Sequence, residues 1–330
     1  MTESALAGLL GDLPGPDTVS RAAVAQRGAT NLRPAGAFAR LEAVAAWLAA
    51  WQWTTTPRVE KPHVAVFGAS HGVTADGVSA YPAEVTQAMV AAMDQGVATV
   101  TAMAAQAGAS FTFHDAGVHE PTANIRTDDA MTPDEFDAAV RVGVAAVEDV
   151  EADLLVFGEV GIGNTTPAAA VTAAVLGGPA GEWVGPGTGV EGEALAHKRR
   201  VVEEAVARVG DVAPLETLRR LGGKEIAAMA GATMAARHRG IPVVLDGFIA
   251  TSALVPLHAT RPGCLDHVWA GHSSAEPGHL LQLQALGKEP LLSLGLRLGE
   301  GTGAVAAIPI LQLACASVID VATFEEFGLA

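Results

Sequence analysis

One pattern occurs three times along the chain and restricts its fold more than any other feature. A short apolar run rich in β-branched residues ends in glycine and small polar residues at 63–70 (HVAVFGAS), and the same order recurs at 153–178 and 241–257, where an alanine-rich stretch follows. Such runs are typical of strands that are buried on both faces of a sheet, and the stretches that follow are typical of covering helices. The pattern predicts an α/β fold with a doubly wound, mainly parallel sheet and flanking helices.

The predicted sheet also locates the chemistry of the protein. Open parallel sheets bind ligands beyond the carboxyl ends of their strands. We therefore expect functional side chains in the loops that follow Phe67, Phe157 and Leu245.

The two ends of the chain carry apolar segments that need a packing partner. A helical pattern covers 38–53, and the segment TTTPRVEKPH (54–63) breaks it with two prolines. A long apolar segment, 304–319, also has the composition of a helix. We expect these two helices to pack against each other.

This packing predicts two domains. Residues 57–298 form a large α/β catalytic domain, and residues 1–56 together with 299–330 form a small helical domain. The glycine-rich segment 299–303 then lies at the seam between them, where pockets tend to occur.

The charge of the chain excludes several kinds of partner. Acidic residues outnumber basic ones by 36 to 20, which gives a net charge of -16. This charge repels phosphate backbones and anionic membrane surfaces, so we expect neither nucleic acid nor membrane as a partner. The chain starts without the basic region of a signal peptide, and the apolar run 304–319 is short for a bilayer span. We expect a cytoplasmic protein that acts on small molecules.

The glycine-rich segment GEVGIGNTTPAAAV (158–171) is the most informative candidate site. Glycines surround Asn164 and Thr165, and Pro167 opens a helix, so backbone N–H groups at this helix start can face an anion. The segment has neither the Walker A sequence nor the GxGxxG order, which disfavours a nicotinamide-dependent oxidoreductase. A tight turn capped by Thr166 is the alternative interpretation.

Two further loops offer partners for a phosphate. The turn GPGTGV (185–190) precedes Lys198, whose charge can neutralise a phosphate, although a solvated helix lysine is the alternative. The loop GHSSAEPGH (271–279) offers the hydroxyl of Ser274, with a plain turn as the alternative. The histidines show no metal-ligand spacing, so no metal is expected, and Cys264 and Cys315 are expected to be small buried side chains.

Glu300 stands between two glycines, directly before the apolar segment 304–319. Its carboxylate can favour the helix dipole from a surface position. It can also be partly desolvated, with a raised pKa, and act as a general base toward a weakly acidic N–H or O–H of a flat apolar substrate. The residues alone leave these two interpretations even.

Seven segments, taken together and in order, resemble the nicotinate-nucleotide–dimethylbenzimidazole phosphoribosyltransferase family. They are GVSAYPAEVTQAMV (77–90), GEVGIGNTTPAAAVTAAVLG (158–177), GPGTGV with Lys198, GGKEIAAMAGA (222–232), PVVLDGFIAT (242–251), SSAEPGH (273–279) and LRLGEGTGA (296–304). The resemblance implies a parallel α/β domain with a small helical domain built from both termini, a homodimer, and chemistry without a metal or other cofactor.

The resemblance also implies a reaction. The 5-phosphoribosyl group of nicotinate mononucleotide moves to a nitrogen of 5,6-dimethylbenzimidazole, with inversion at the anomeric carbon. The products are nicotinate and α-ribazole 5′-phosphate, which enters the nucleotide loop of cobalamin.

Matching the family's motifs residue by residue implies roles for particular side chains. Glu300 matches the general base. The expected contacts to the donor's ribose and phosphate are Glu159, Gly161, Lys198 and Ser274. The expected remaining parts of the phosphate cradle are Asn164, Thr165, Gly187, Thr188 and Gly189. The expected walls of the acceptor site are Ser79, Tyr81 and Gln87.

Three segments depart from the family's pattern. The chain has LRPAGAFAR (32–40) where the family shows a KPPGSLG-type stretch, Ser70 where it shows an acid, and QGVATVT (95–101) in place of a GGAAIN-type segment. These departures leave the acceptor open between dimethylbenzimidazole and a related base. A noncatalytic phosphoribosyl-ligand binding or regulatory paralogue is the alternative to an enzyme.

Overall fold

The computed structural model describes residues 4–329. Its strands are β1 (Pro62–His71), β2 (Ser110–Thr122), β3 (Leu154–Val160), β4 (Val243–Leu245) and β5 (Val268–Ala270). Its helices are α1 (Ala5–Leu9), α2 (Thr18–Thr30), α3 (Ala39–Gln52), α4 (Val85–Asp94), α5 (Thr99–Gln106), α6 (Pro133–Glu148), α7 (Thr165–Leu176), α8 (Ala180–Trp183), α9 (Gly192–Val209), α10 (Pro214–Leu221), α11 (Lys224–Arg239), α12 (Phe248–Thr260), α13 (Pro277–Ala285) and α14 (Thr302–Ile319).

The strands form one sheet in the order β2-β1-β3-β4-β5, and every neighbouring pair is parallel. The strands predicted from the three repeated patterns are confirmed as β1, β3 and β4, and α7 and α12 follow the last two as expected. All residues of β3 and β4 are buried, as in a strand that helices cover on both sides. The predicted α/β fold with a parallel sheet is therefore confirmed.

Two strands, β2 and β5, were not predicted from the sequence. They are the edge strands of the sheet in the described part of the chain. β2 is largely half-exposed or exposed and contains polar residues, and β5 has three residues. Neither shows the continuous apolar run that marks a buried central strand.

The alternation of side chains divides the core between the two faces of the sheet. On one face, Val64, Val66 and Val156 pack with side chains of α3, α5 and α14. On the other face, Phe67 and Phe157 pack with α6, α7, α11 and α12. Layers of helices therefore cover both faces of the sheet.

The terminal helices lie on the same face of the sheet. α14 contacts α3 and α2, which confirms the predicted packing of the N-terminal helix with the C-terminal apolar segment. The side chain of Asn31 donates to the carbonyl oxygens of Val318 and Val321 and fastens the two ends of the chain together. The division at residues 57 and 298 stays a prediction, and residues 1–3 and 330 lie outside the described part.

Two segments, Val85–Gln106 and Thr302–Ile319, are long and apolar enough to span a membrane by length and composition. The second is α14, and 56% of its residues are buried within the fold. Burial of this extent is typical of a core helix. Cys264 and Cys315 are confirmed as buried, free thiols.

Candidate active site

A cavity of about 440 Å³ opens at the carboxyl ends of β3 and β4. The strand order reverses between β1 and β3, and open parallel sheets bind ligands beside such a reversal. α7 and α12 both begin at this cavity, and the positive end of each helix dipole favours an anion there. A wider hollow of about 830 Å³ lies at the amino ends of the strands, and the described residues that line it include no predicted site residue.

Most of the predicted site residues meet in the lining of this cavity. They are Tyr81, Glu159, Gly161, Asn164, Thr165, Gly187, Thr188, Ser274 and Glu300. The sequence places these residues up to 219 positions apart, and the carboxyl edge of the sheet brings them together.

Four predicted residues lie outside the lining. The hydroxyl of Ser79 stands 3.4 Å from that of Thr188, and Gln87 is exposed with its amide 3.3 Å from Nδ1 of His119. Gly189 is exposed in the turn after Thr188, and Lys198 lies behind the cavity wall. The functional roles of these four residues stay predictions.

The GEG sequence at 299–301 folds into a turn in which three consecutive residues have positive φ angles of 87°, 62° and 83°. Glycine adopts this conformation freely, whereas glutamate rarely does. β3 holds the turn: the N–H of Glu300 donates to the carbonyl oxygen of Glu159 (3.2 Å), and a Cβ on Gly158 would lie 2.3 Å from the carbonyl carbon of Glu300. A strained residue that its neighbours hold in place is characteristic of functional sites.

Glu300 is buried rather than on the surface. Only 4% of the residue is exposed, and its Oε2 has no hydrogen-bond partner among the described residues. Burial raises the pKa of Glu300, a backbone N–H of Val100 opposes the rise, and the charge of Asp246 adds to it. The surface position required by the helix-dipole interpretation is absent, and Glu300 lies before Gly301, the N-cap of α14.

A second acid, Glu159, lies at the end of β3 and is buried as well. Burial raises its pKa well above the ordinary value, the hydrogen bond from the amide of Asn164 (2.5 Å) opposes this, and the charges of Glu225, Asp246 and Glu300 raise it further. Three cavity-lining carboxyl groups thus share one region. This arrangement favours a ligand that carries positive charge at this end of the cavity.

Another part of the cavity, called the anion end here, is suited to an anion. Lys198 is 1% exposed, and its Nζ donates to the hydroxyl of Thr165 (2.8 Å) and the carbonyl of Gly185 (3.0 Å). Burial lowers the pKa of Lys198 to about 8, and the charge of Glu276 opposes this effect. The alternative interpretation of Lys198 as a solvated helix residue is therefore wrong.

Ser274 also lines the cavity, beside Gly247 and His272. Its N–H donates to Nδ1 of His279 (2.9 Å), and the hydroxyl of Thr251, which donates to the carbonyl of Gly247, accepts from Nε2 of the same ring (3.0 Å). These contacts require a neutral His279 protonated on Nε2, and burial lowers its pKa to about 3. The hydroxyl of Ser274 is buried without a partner among the described residues, so it can bond a ligand.

The middle of the cavity is apolar. Its walls are Tyr81, Val85, Met89, Val160, Phe248, Ile249 and Leu298. The hydroxyl of Thr86 on α4 accepts the N–H of Ile162 (3.0 Å), which joins the helix to the glycine-rich loop after β3. A flat aromatic ring fits such a wall.

Thr166 does not cap the turn before α7. Its hydroxyl is buried and unpaired among the described residues, and Asn164 is the N-cap residue, with its side chain bonded to Glu159. The alternative of a tight turn capped by Thr166 is wrong.

Sequence reasoning missed two carboxylates of the site, Asp246 and Glu276. Asp246 directly follows β4, and its carboxylate accepts N–H groups from Gly301 and Ala304. Glu276 accepts the N–H of Gly187 (3.0 Å). The position of Asp246 after Leu245 was a usable signal, because that loop was one of the expected sites of chemistry.

The departures from the family's pattern lie outside the cavity lining. Ser70 donates its hydroxyl to the carbonyl of Val118 on β2 (2.7 Å). The segment 32–40 precedes α3. Val100, in the third divergent segment, contributes a backbone N–H beside Glu300. Over residues 4–329, no group of three or more His, Cys, Asp or Glu side chains has the geometry to hold a metal ion.

Comparisons with known proteins agree with this geometry. A family model described as phosphoribosyltransferase matches residues 13–329. A nicotinate-nucleotide–dimethylbenzimidazole phosphoribosyltransferase of Ruegeria pomeroyi is 52% identical over 322 residues, which cover 98% of this chain and 96% of the relative. The enzyme of that name from Methylorubrum extorquens is 50% identical over 96% of this chain and 93% of its own length.

Solved structures agree as well. The crystal structure of CobT from Thermus thermophilus has a TM-score of 0.91 and 42% identity, over 94% of this chain and 99% of the other. A second Thermus thermophilus structure, that of the nicotinate-nucleotide–dimethylbenzimidazole phosphoribosyltransferase, has a TM-score of 0.90 and 40% sequence identity. The match covers 95% of this chain and 99% of the other. The chain belongs to the nicotinate-nucleotide–dimethylbenzimidazole phosphoribosyltransferase family.

Proposed function

We propose that this protein transfers the 5-phosphoribosyl group of nicotinate mononucleotide to 5,6-dimethylbenzimidazole or a closely related base. The products are α-ribazole 5′-phosphate, for the nucleotide loop of cobalamin, and nicotinate. The observation that carries the proposal is a single cavity with a buried carboxylate, Glu300, in its lining and a buried cation, Lys198, behind its wall. The family membership of the chain supports the same reaction.

The anion end of the cavity is the proposed site of the donor's phosphate. The hydroxyl of Ser274 has no partner among the described residues, and the positive end of the α7 dipole lies at the same cavity. Lys198 adds a positive charge that strengthens such hydrogen bonds. Gly187 and Thr188 line the same end, in agreement with the proposed phosphate cradle.

The acidic end suits the charge of the donor. The nicotinate ring nitrogen is cationic in the mononucleotide, and positive charge spreads onto the anomeric carbon as the bond to that nitrogen breaks. The carboxyl groups of Glu159, Asp246 and Glu300 lie close enough to affect one another's ionisation, and negative charge there stabilises a cation. Nicotinate leaves with the electron pair of the broken bond, so its ring nitrogen becomes neutral.

Glu300 is the proposed general base. One nitrogen of the benzimidazole attacks the anomeric carbon while the N–H of its other nitrogen loses a proton. Burial and the neighbouring charge of Asp246 raise the pKa of Glu300, and Oε2 has no other partner among the described residues. A carboxylate with a raised pKa accepts a proton more readily than an exposed one.

We also propose the finer assignments implied by the family. The protein is a cytoplasmic homodimer with a catalytic domain at 57–298 and a small helical domain from both termini. The segment Val85–Gln106 supports an association surface, because it is apolar and only 22% of it is buried within one chain.

The direct test is incubation of the purified protein with nicotinate mononucleotide and a panel of bases, followed by chromatography and mass spectrometry. We expect α-ribazole 5′-phosphate with dimethylbenzimidazole and release of an equal amount of nicotinate. Saturable binding of the donor without product from any base supports the alternative, a noncatalytic binding paralogue. Product from another base alone identifies a different acceptor.

A further inference from the structure

The turn that carries Glu300 needs more than its contact with β3. Its three consecutive positive φ angles include one at a glutamate, a conformation that costs on the order of 1 kcal/mol. A general base must also be held within a fraction of an ångström of its proton. The anchor on the other side of this turn is the carboxylate of Asp246.

Asp246 is buried at 2% exposure at the end of β4. Its Oδ2 accepts the N–H of Gly301 (3.2 Å) and its Oδ1 accepts the N–H of Ala304 (2.9 Å). These N–H groups belong to the N-cap and the first turn of α14, which lack partners within the helix. One side chain therefore ties the sheet both to the residue after Glu300 and to the helix that follows.

His272 supports Asp246 from the next loop of the sheet. Its Nε2 lies 3.3 Å from Oδ1 of Asp246, and its ring packs so closely on Gly303 that a Cβ there would lie 2.2 Å away. The sequence GEGTGA thus has a structural reason for its glycines. Gly301 adopts a positive φ, and Gly303 makes room for His272.

We propose that Asp246 is a positioning residue for phosphoribosyl transfer: its carboxylate fixes the turn of Glu300 to the end of β4. The inference rests on the proposed function, in which Glu300 removes the acceptor's proton. Asp246 acts through Glu300, with both of its oxygens bonded to the backbone of the following helix.

The ionisation of the site is consistent with this role. Burial opposes ionisation of Asp246, but the contacts with His272 and with the N–H of Ala304 lower its pKa on balance, so it carries a charge. The titratable or charged residues that line the cavity with it are Tyr81, Glu159, His272, Glu276, Arg297 and Glu300. α5, which also packs beside Glu300, has no titratable side chain and contributes a backbone N–H.

The test compares Asp246→Asn with the wild-type enzyme over a range of pH. We expect the acid limb of the kcat/KM profile for the acceptor to move to lower pH, because a like charge near Glu300 is removed. We expect kcat to fall on the order of 100-fold, because the turn loses one of its two acceptors. Donor affinity falls less than kcat, since Lys198 and Ser274 are unchanged.

Asp153→Asn is the matched control. Asp153 accepts the N–H groups of Glu60 and Lys61 and holds a loop at the opposite, amino edge of the sheet. We expect its pH profile to match that of the wild type. An unchanged acid limb and an unchanged kcat in Asp246→Asn would overturn the proposal.

A second measurement covers the case in which Asp246→Asn does not fold. In the wild-type protein, NMR follows the backbone N–H resonances of Gly301 and Ala304 through the pH titration of the Asp246 carboxyl group. We expect both resonances to shift with that titration, because the carboxylate accepts both N–H groups, and resonances that do not respond overturn the proposal. This titration does not need turnover, so a wild-type protein without transferase activity refutes the proposed function and still leaves the position of Asp246 testable.

Discussion

Lys198→Met separates the binding role of a buried lysine from its effect on stability. The ammonium group of Lys198 lies at the anion end of the cavity and bonds to Thr165 and Gly185. Methionine has a similar length and no charge. The substitution therefore removes the positive charge and leaves the packing nearly unchanged.

The expected magnitudes follow from the pKa of Lys198. Burial lowers it from 10.5 to about 8, and one pKa unit corresponds to about 1.4 kcal/mol, so burying the charge costs about 3 kcal/mol at neutral pH. The substitution removes this cost but leaves the oxygens of Thr165 and Gly185 without their donor, at about 1–3 kcal/mol each. The free energy of unfolding should change by less than about 3 kcal/mol.

Donor binding should change much more clearly than stability. Without the buried charge of Lys198 behind the site, the hydrogen bonds to the phosphate should weaken by about 1.5–3 kcal/mol, which corresponds to about a 10- to 100-fold rise in the Kd of nicotinate mononucleotide. Lys198 carries its charge below its pKa and loses it above, so wild-type affinity should also weaken as the pH rises through about 8. In Lys198→Met that loss of affinity disappears.

The assay is calorimetric titration with nicotinate mononucleotide, combined with thermal unfolding. Lys288→Met is the matched control, because Lys288 is half-buried with a pKa that is also lowered to about 8, and it bonds the carbonyls of Leu265 and Val268, outside the cavity lining. We expect its stability to respond in a similar way and its donor affinity to stay unchanged. A donor Kd in Lys198→Met within about 3-fold of wild type would refute the assignment of the phosphate site.

Three further predictions concern the other parts of the cavity. Gly158→Ala places a Cβ 2.3 Å from the carbonyl of Glu300, so kcat should fall on the order of 100-fold. The control is Gly181→Ala, whose added Cβ would have no atom within 4 Å and should leave kcat unchanged. Tyr81→Ala should raise the KM of the acceptor and leave the Kd of the donor unchanged. Steady-state kinetics with each substrate varied in turn measures this, and a weaker donor with an unchanged acceptor KM would show that Tyr81 contacts the donor instead. In the wild type, protonation of Glu300 should stop the reaction in acid. As the pH decreases, kcat/KM for the acceptor should therefore begin to decrease at a pH above 4.5. A decrease that begins only below pH 4.5 would count against Glu300 as the base.

The central strands could be predicted from the sequence because they are buried on both faces. β1, β3 and β4 are continuous apolar runs, and parallel strands end at a common edge, so the loops after Phe67, Phe157 and Leu245 could be expected to meet. β2 and β5 lie at the edges of the sheet, where tertiary contacts rather than a local pattern determine the strand.

Within the site, as within the sheet, local patterns could be predicted from the sequence and long-range contacts could not. The segment around Glu159 could be assigned to a ligand from local glycine and helix-start signals. The roles of Asp246 and Glu276 depend on backbone N–H groups 55 and 89 residues away along the chain, and local sequence contains no sign of such contacts. The burial of Glu300 and Lys198 decided between interpretations that the residues alone left open.

The turnover of Glu300→Gln tests the central claim most directly. Glutamine keeps the shape of the side chain and cannot accept the acceptor's proton as a carboxylate does. With nicotinate mononucleotide and dimethylbenzimidazole both saturating, we predict a loss of kcat on the order of 100-fold or more, with the Kd of the donor within about 3-fold of wild type. Wild-type turnover in Glu300→Gln would contradict the account.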